Sequence, residues 1–90
     1  MATLRIVIRG RVQGVGFRNY ARQTARLMGV CGEVWNRSDG NVEAIAEHPD
    51  RKVVDSFAEA MEAGPGYIRD VQLEEAADHG YAGFEVGPSR

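Results

Sequence analysis

Gly10-Arg11-Val12-Gln13-Gly14-Val15-Gly16-Phe17-Arg18 is the stretch from which the rest of the chain takes its arrangement. Before it, Leu4, Ile6 and Ile8 alternate with Arg5, Val7 and Arg9, the period of a strand with one buried face. After it, Phe17, Tyr20, Ala21, Thr24, Ala25 and Met28 recur at three- and four-residue spacing, with Leu27 beside them. That pattern predicts an amphipathic helix of about three turns. The stretch is therefore a Gly-rich strand-to-helix loop ending in an arginine on the first helical turn. Successive backbone N–H groups in such a loop can point into one concavity, and the positive end of the helix adds to them. The natural guest is a phosphate or another small anion, and Arg18 can close the site with a planar fork that matches two of its oxygens. Without Arg18, a plain tight turn around Gly14 and Gly16 would explain the loop equally well. Two better-known phosphate loops are excluded. A mononucleotide P-loop needs Lys and then Ser or Thr after its last glycine, where Phe17 and Arg18 stand. A dinucleotide fingerprint needs a third glycine where this chain has Asn19.

The 90 residues are expected to form a single domain over 1–90 with one core. At 43% hydrophobic and 27% charged, the chain has the composition of an ordinary globular protein. The single cysteine, Cys31, allows no internal disulfide and no cysteine-built metal cage, and it reads as a small hydrophobe in a strand. Arg5 and Arg9 interrupt the first apolar run, so no secretory signal is expected, and no run is long enough to span a membrane. The default expectation is a cytoplasmic monomer. The net charge of −2 is unevenly spread: Arg5, Arg9, Arg11, Arg18, Arg22 and Arg26 precede any acidic residue. The positive third is the one holding the Gly-rich loop, which favours small anions there. Arg22 and Arg26 read as the solvated face of the helix.

Gly29 is the expected C-terminal cap of that helix. Val30 to Asn36 reads as a second strand, with Val34 inward and Glu33 and Trp35 on the other face. Ser38-Asp39-Gly40-Asn41 is a turn signal favouring a tight hairpin, and Val42 to Ala46 is the returning strand. His48-Pro49-Asp50 ends it, with Asp50 placed to cap a helix whose apolar stripe is Val53, Val54, Phe57, Ala58 and Met61. Gly64-Pro65-Gly66 stops that helix, Tyr67 to Glu75 contains a strand, and Phe84 and Val86 suggest a short final one. The predicted class is α+β: a ferredoxin-like split βαβ sandwich, β-α-β-β-α-β plus a short C-terminal strand, with an antiparallel sheet and both helices on one face. In its usual strand order, 4-1-3-2, the first and second strands run the same way, two spacings or roughly 10 Å apart. Their ends then bring Arg18 and Asn36 to one edge.

With the residues in view, Gly10-x-Val12-Gln13-Gly14-Val15-x-Phe17-Arg18, followed by Gly32-x-Val34-x-Asn36-x-x-Asp39-Gly40-x-Val42-Glu43, resembles the acylphosphatase family over nearly the whole chain. The resemblance implies hydrolysis of the mixed anhydride of a carboxylate and phosphate, with a small acyl phosphate as substrate and inorganic phosphate as product and inhibitor. It implies that Arg18 holds the phosphate together with the loop Gln13, Gly14, Val15, Gly16 and Phe17, and that Asn36 positions the attacking water. It implies no metal and no organic cofactor. A carboxylate leaving group has a conjugate-acid pKa of about 4, so it departs without a general acid. Phosphoryl transfer is mostly positioning and stabilisation of charge on the equatorial oxygens, which N–H groups and a guanidinium supply. His48 and His79 fall outside both motifs and read as loop or strand-end residues. Asn19, Glu33 and Trp35 depart from the common family pattern and bear on the outer face of the sheet and on substrate preference.

Two other functions share this fold. An RNA-binding module stacks bases on aromatic residues of its central strands. The first strand, Leu4 to Arg9, and the third, Val42 to Ala46, have none, and the chain is acidic overall, so no nucleic-acid partner is expected. A non-catalytic small-anion-binding module is compatible with the fold alone, and catalytic turnover separates it from the enzyme.

Overall fold

The computed structural model describes residues 1–90. The elements are β1 (Ala2–Arg11), α1 (Phe17–Met28), β2 (Cys31–Asn36), β3 (Val42–His48), α2 (Arg51–Met61), β4 (Tyr67–Glu75) and β5 (Phe84–Val86). The strands form one sheet in the order β4-β1-β3-β2-β5. The expected 4-1-3-2 order is present, with β5 added at the β2 edge. Pairing is antiparallel except between β2 and β5, so the sheet is mixed. The reason is directional. Between β4 and β5 the chain crosses one end of the sheet and reverses, and β2 already runs opposite to β4.

Alternation along β1 buries Leu4, Ile6 and Ile8 and leaves Arg5 exposed. Val42, Ala44 and Ala46 of β3 and Val34 of β2 continue the same buried face. On α1, Phe17, Ala21 and Ala25 meet that face at four-residue spacing, whereas Leu27 falls off the stripe and is exposed. Gly29 ends α1 in a left-handed conformation, and Val30 N–H donates to Ala25 O at 2.8 Å. Asp50 caps α2 by accepting from Lys52 N–H at 2.9 Å. The α2 stripe is Val54, Phe57, Ala58 and Met61, and the Phe57 ring packs on Phe84 of β5 with centroids 5.6 Å apart. Each such large side chain contributes about 1.5–3 kcal/mol through its burial. Tyr20 O–H donates to Ala60 O at 2.7 Å and ties the two helices together.

The outer face of the sheet is not bare. Trp35 and Ile45 are buried there, as is Glu47 at 1% exposure. The C-terminal residues cover this side: the Arg90 guanidinium lies 4.0 Å from the centre of the Trp35 ring and donates to Glu33 Oε2 at 2.9 Å. Tyr81 O–H donates to the other Glu33 oxygen at 3.3 Å. Glu33 and Trp35 therefore seat the last residues of the chain. Gly87 N–H donates to Val34 O and Arg90 N–H to Asn36 O, both at 2.8 Å, extending the hold of β5 along β2.

Glu47 anchors the crossing segment. Its carboxylate accepts from the backbone N–H groups of His79, Gly80 and Tyr81. Burial pushes the carboxyl pKa up, but the N–H groups, His79 first, outweigh burial and hold it below the ordinary value. A lowered folded pKa means stability present above the pKa of a free glutamate, about 4.3, and lost as pH falls through the folded value. Glu47→Gln should therefore lower the Tm at pH 7 by roughly 5–10 °C. It should also flatten the fall in Tm below about pH 4.3 relative to the parent. Thermal unfolding of both proteins across pH 3–7 checks this; identical acid limbs would show that Glu47 contributes nothing to acid sensitivity.

Candidate active site

β1 runs to Arg11, further than its alternation suggests, and the loop is confined to residues 12–16. Both of its ends are pinned in the core, since Val12 and Phe17 are each 1% exposed. Within it, Gly14 has φ 75° and Gly16 has φ 83°, while no non-glycine residue has positive φ. A left-handed residue alternating with an ordinary one turns successive N–H groups toward one side. A Cβ at either glycine would meet nothing within 4 Å. Glycine is required there by backbone conformation, not by space.

Gln13 reaches away from the concavity. Its Nε2 donates to Arg37 O at 2.7 Å and to Asn41 O at 2.9 Å, so its side chain clamps the loop to the β2–β3 connection. Gly10 N–H adds a bond to Asn41 Oδ1 at 3.3 Å. That connection is residues 37–41, the stretch left between the two strands read from the sequence, and Arg37 N–H closes it on Asn41 O at 2.9 Å. Asn41 N–H donates to Asp39 Oδ1, and this bond, with Arg37 beside it, holds the Asp39 carboxyl below the usual carboxylate range.

The loop opens onto a cavity of about 300 Å³. Val12, Gly14 and Gly16 form its loop side. Phe17, Arg18, Asn19 and Arg22 of α1 and Val86 of β5 complete it, and no carboxylate lines it. The α1 N-terminus has no side-chain cap and no acidic residue in its first turn. Its first intrahelical bond is Tyr20 N–H to Gly16 O at 3.1 Å, which leaves the N–H groups before it without helical partners. Arg5, Arg9, Arg26, Arg37, Arg51 and Arg90 are all ion-paired with carboxylates. Arg18 and Arg22 are half-buried and have no such partner. The cavity thus combines a helix N-terminus, a glycine-alternating loop and two unneutralised guanidinium groups, a setting for an anion.

Arg22 corrects a sequence-based expectation. It does not belong to the solvated face but lines the cavity, with its Nη2 held by Asn19 Oδ1 at 2.8 Å. The signal was present, because a residue four places after Arg18 lies on the same helical face. Arg26, one turn further, is exposed and paired with Glu85 at 3.3 Å. Val86 gave no signal, since its place depends on where β5 docks.

Asn36 ends β2 opposite Val42 of β3 and shares the helix-facing side with Val34. Val34 pairs with Val86, so Asn36 follows two residues after the pair that brings β5 to the cavity. It is not itself among the cavity-lining residues. Its Oδ1 is buried and has no hydrogen-bond partner within the protein. Such an acceptor costs roughly 1–3 kcal/mol if it stays unpaired. His48 and His79 lie away from the cavity: His48 Nδ1 accepts from Asp50 N–H at 2.9 Å, and His79 serves Glu47 through its backbone. No group of three His, Cys, Asp or Glu side chains is arranged to hold a metal ion. No helix is long and apolar enough to cross a membrane.

Comparison with known proteins adds a family. The family model described as Acylphosphatase matches residues 4–86. The acylphosphatase of Methanocella arvoryzae is 39% identical over 88 residues, covering 96% of this chain and 99% of that protein. The acylphosphatase of Salinibacter ruber is 47% identical over 83 residues, covering 88% of this chain and 85% of its own. Among solved structures, the crystal structure of acylphosphatase from Bacillus subtilis superposes with a TM-score of 0.90 at 37% identity, covering 97% of this chain and 99% of that one.

Proposed function

The chain belongs to the acylphosphatase family and hydrolyses the carboxyl–phosphate bond of acyl phosphates, and we propose that it does so in the cavity beside residues 12–16, with Arg18 and Asn36 as the catalytic side chains. The observation that carries this placement is a half-buried Arg18 without a carboxylate partner, at an uncapped helix N-terminus beside Gly14 and Gly16.

In this reading the backbone N–H groups of Gly14, Val15, Gly16 and Phe17 and the Arg18 fork hold the three equatorial oxygens of the phosphoryl group. Gln13 contributes by fixing the loop through Arg37 O and Asn41 O. Asn36, at the end of β2, holds the attacking water through its carboxamide and aims it in line with the leaving carboxylate. The water oxygen forms the new bond to phosphorus. The bond from phosphorus to the acyl oxygen breaks, its electron pair leaves on the carboxylate, and the water proton ends on phosphate or solvent. No general acid is required, because the leaving group is already a weak base. The chain acts as a monomer in the cytoplasm and without nucleic acid: the outer face near Trp35 is covered by the chain's own end, and β1 and β3 carry no Phe, Tyr or Trp for stacking.

The chemistry described needs no metal ion. Purified protein in excess chelator is expected to release phosphate from acetyl phosphate at its full rate, while a phosphate monoester, with its poorer leaving group, is scarcely attacked. Activity that disappears in chelator and returns with a divalent ion would overturn this part of the reading.

A further inference from the structure

Holding one phosphoryl group and one water leaves Arg22 without a task. It is half-buried in the cavity wall, free of any carboxylate, and its Nη2 is held by Asn19 Oδ1 at 2.8 Å. Arg26, the next residue on that stripe, is taken by Glu85. The open positive charge on this face of α1 is therefore confined to Arg18 and Arg22, one helical turn apart. The Arg18 fork and the loop N–H groups already claim the oxygens of one small phosphoryl group, so the Arg22 fork one turn further along is left to offer its donors to another anion.

We propose that Arg22 is a specificity-determining residue that receives a second anionic group, a carboxylate or a phosphate, carried on the acyl part of the substrate. The preferred substrates are then acyl phosphates with a charged tail. Asn19 acts as a positioning residue: its amide oxygen occupies one N–H of the fork and sets the plane in which the others are offered. Val86, on the β5 side of the cavity, gives the uncharged part of the acyl group an apolar contact. The inference rests on the phosphoryl group being held at Arg18.

The test uses three matched substrates: benzoyl phosphate, 4-carboxybenzoyl phosphate and 4-phosphonobenzoyl phosphate. The para position moves the second charge away from the phosphoryl group by one ring. The parent protein should show higher kcat/KM on the two charged substrates, and the preference should shrink near 1 M salt, where the Debye length is about 3 Å. In Arg22→Gln the ratio of charged to uncharged kcat/KM should fall about five- to tenfold, mainly through KM. Arg22→Lys should keep part of the preference, because the charge remains and the fork is lost. The carboxylate and phosphonate arms show which tail the fork takes better. An unchanged ratio in Arg22→Gln, whether from equal losses on all three substrates or from none, would overturn the inference. Arg18→Ala, measured alongside, keeps the two readings apart. If it is inactive on all three while the Arg22→Gln ratio is unmoved, only this inference fails. If it retains turnover, the placement of the phosphoryl group fails.

Discussion

Arg18→Lys should lose on the order of a thousandfold in kcat/KM for an acyl phosphate, and Arg18→Ala should be at least as impaired. The charge survives in the lysine variant, so the loss isolates geometry. A guanidinium offers two parallel N–H donors to two phosphoryl oxygens, and an ammonium offers one point charge on a flexible stem. Neither substitution should harm the fold. Arg18 is in no ion pair, and it lines a cavity instead of filling the core. Inorganic phosphate should compete with substrate in the parent protein at roughly millimolar strength, equivalent to about 4 kcal/mol, and much more weakly in both variants. Steady-state kinetics with phosphate inhibition, accompanied by thermal unfolding, measure all of this. Turnover near that of the parent in Arg18→Lys would remove Arg18 from the role of phosphate fork.

Asn36→Ala should separate binding from chemistry. Its kcat is expected to fall on the order of a hundredfold, the cost of a misplaced nucleophile, while the phosphate inhibition constant stays close to that of the parent. Stability gives a second, independent readout. If Asn36 were a structural residue of the β2–β3 connection, alanine would lower the Tm and spare kcat in the remaining folded protein. The connection is instead held by Gln13, Asn41 and Asp39. Asn36 Oδ1 is buried without a partner, so deleting it removes an unpaired acceptor. The Tm should therefore stay level or rise by a few degrees, roughly 1 kcal/mol at most. A fall in Tm with kcat retained, or weakened phosphate binding with kcat retained, would assign Asn36 a different role.

The extent to which the site could be read in advance follows from how local each part is. The strand–loop–helix unit is written within residues 4–28. Alternation of Leu4, Ile6 and Ile8, two glycines, and an i, i+4 stripe of Phe17, Ala21 and Ala25 are short-range features, and each reappears in the structure. Gly29 and Asp50 were legible for the same reason, since a cap depends on the residues beside it. Arg22 was misread because helical periodicity says which residues share a face, not what stands opposite that face. β5 contributes Val86 across the cavity, and β5 comes more than fifty residues later. The β2–β3 connection at residues 37–41 follows from the strand ends read in the sequence, whereas its clamping by Gln13, from a different part of the chain, through Arg37 O and Asn41 O was not legible there.

Glu33 and Trp35 show the boundary between the two kinds of information. Period-two alternation placed them on the side of the sheet away from the helices, and that side is where they are. It left open whether that side meets water. The answer depends on Arg90, which stacks on Trp35 and bonds Glu33, and on Tyr81, which bonds Glu33. The order of elements, the helix-facing core and the loop with its arginine were legible in the sequence, because those follow from backbone preferences and side-chain periods acting over a few residues. The direction of β5, the burial of Trp35 and Glu47, the second guanidinium in the cavity and the unpaired oxygen of Asn36 come from tertiary packing. Each of these depends on which distant segment comes to lie against a residue, and burial and hydrogen bonding are properties of that meeting, not of the residue alone.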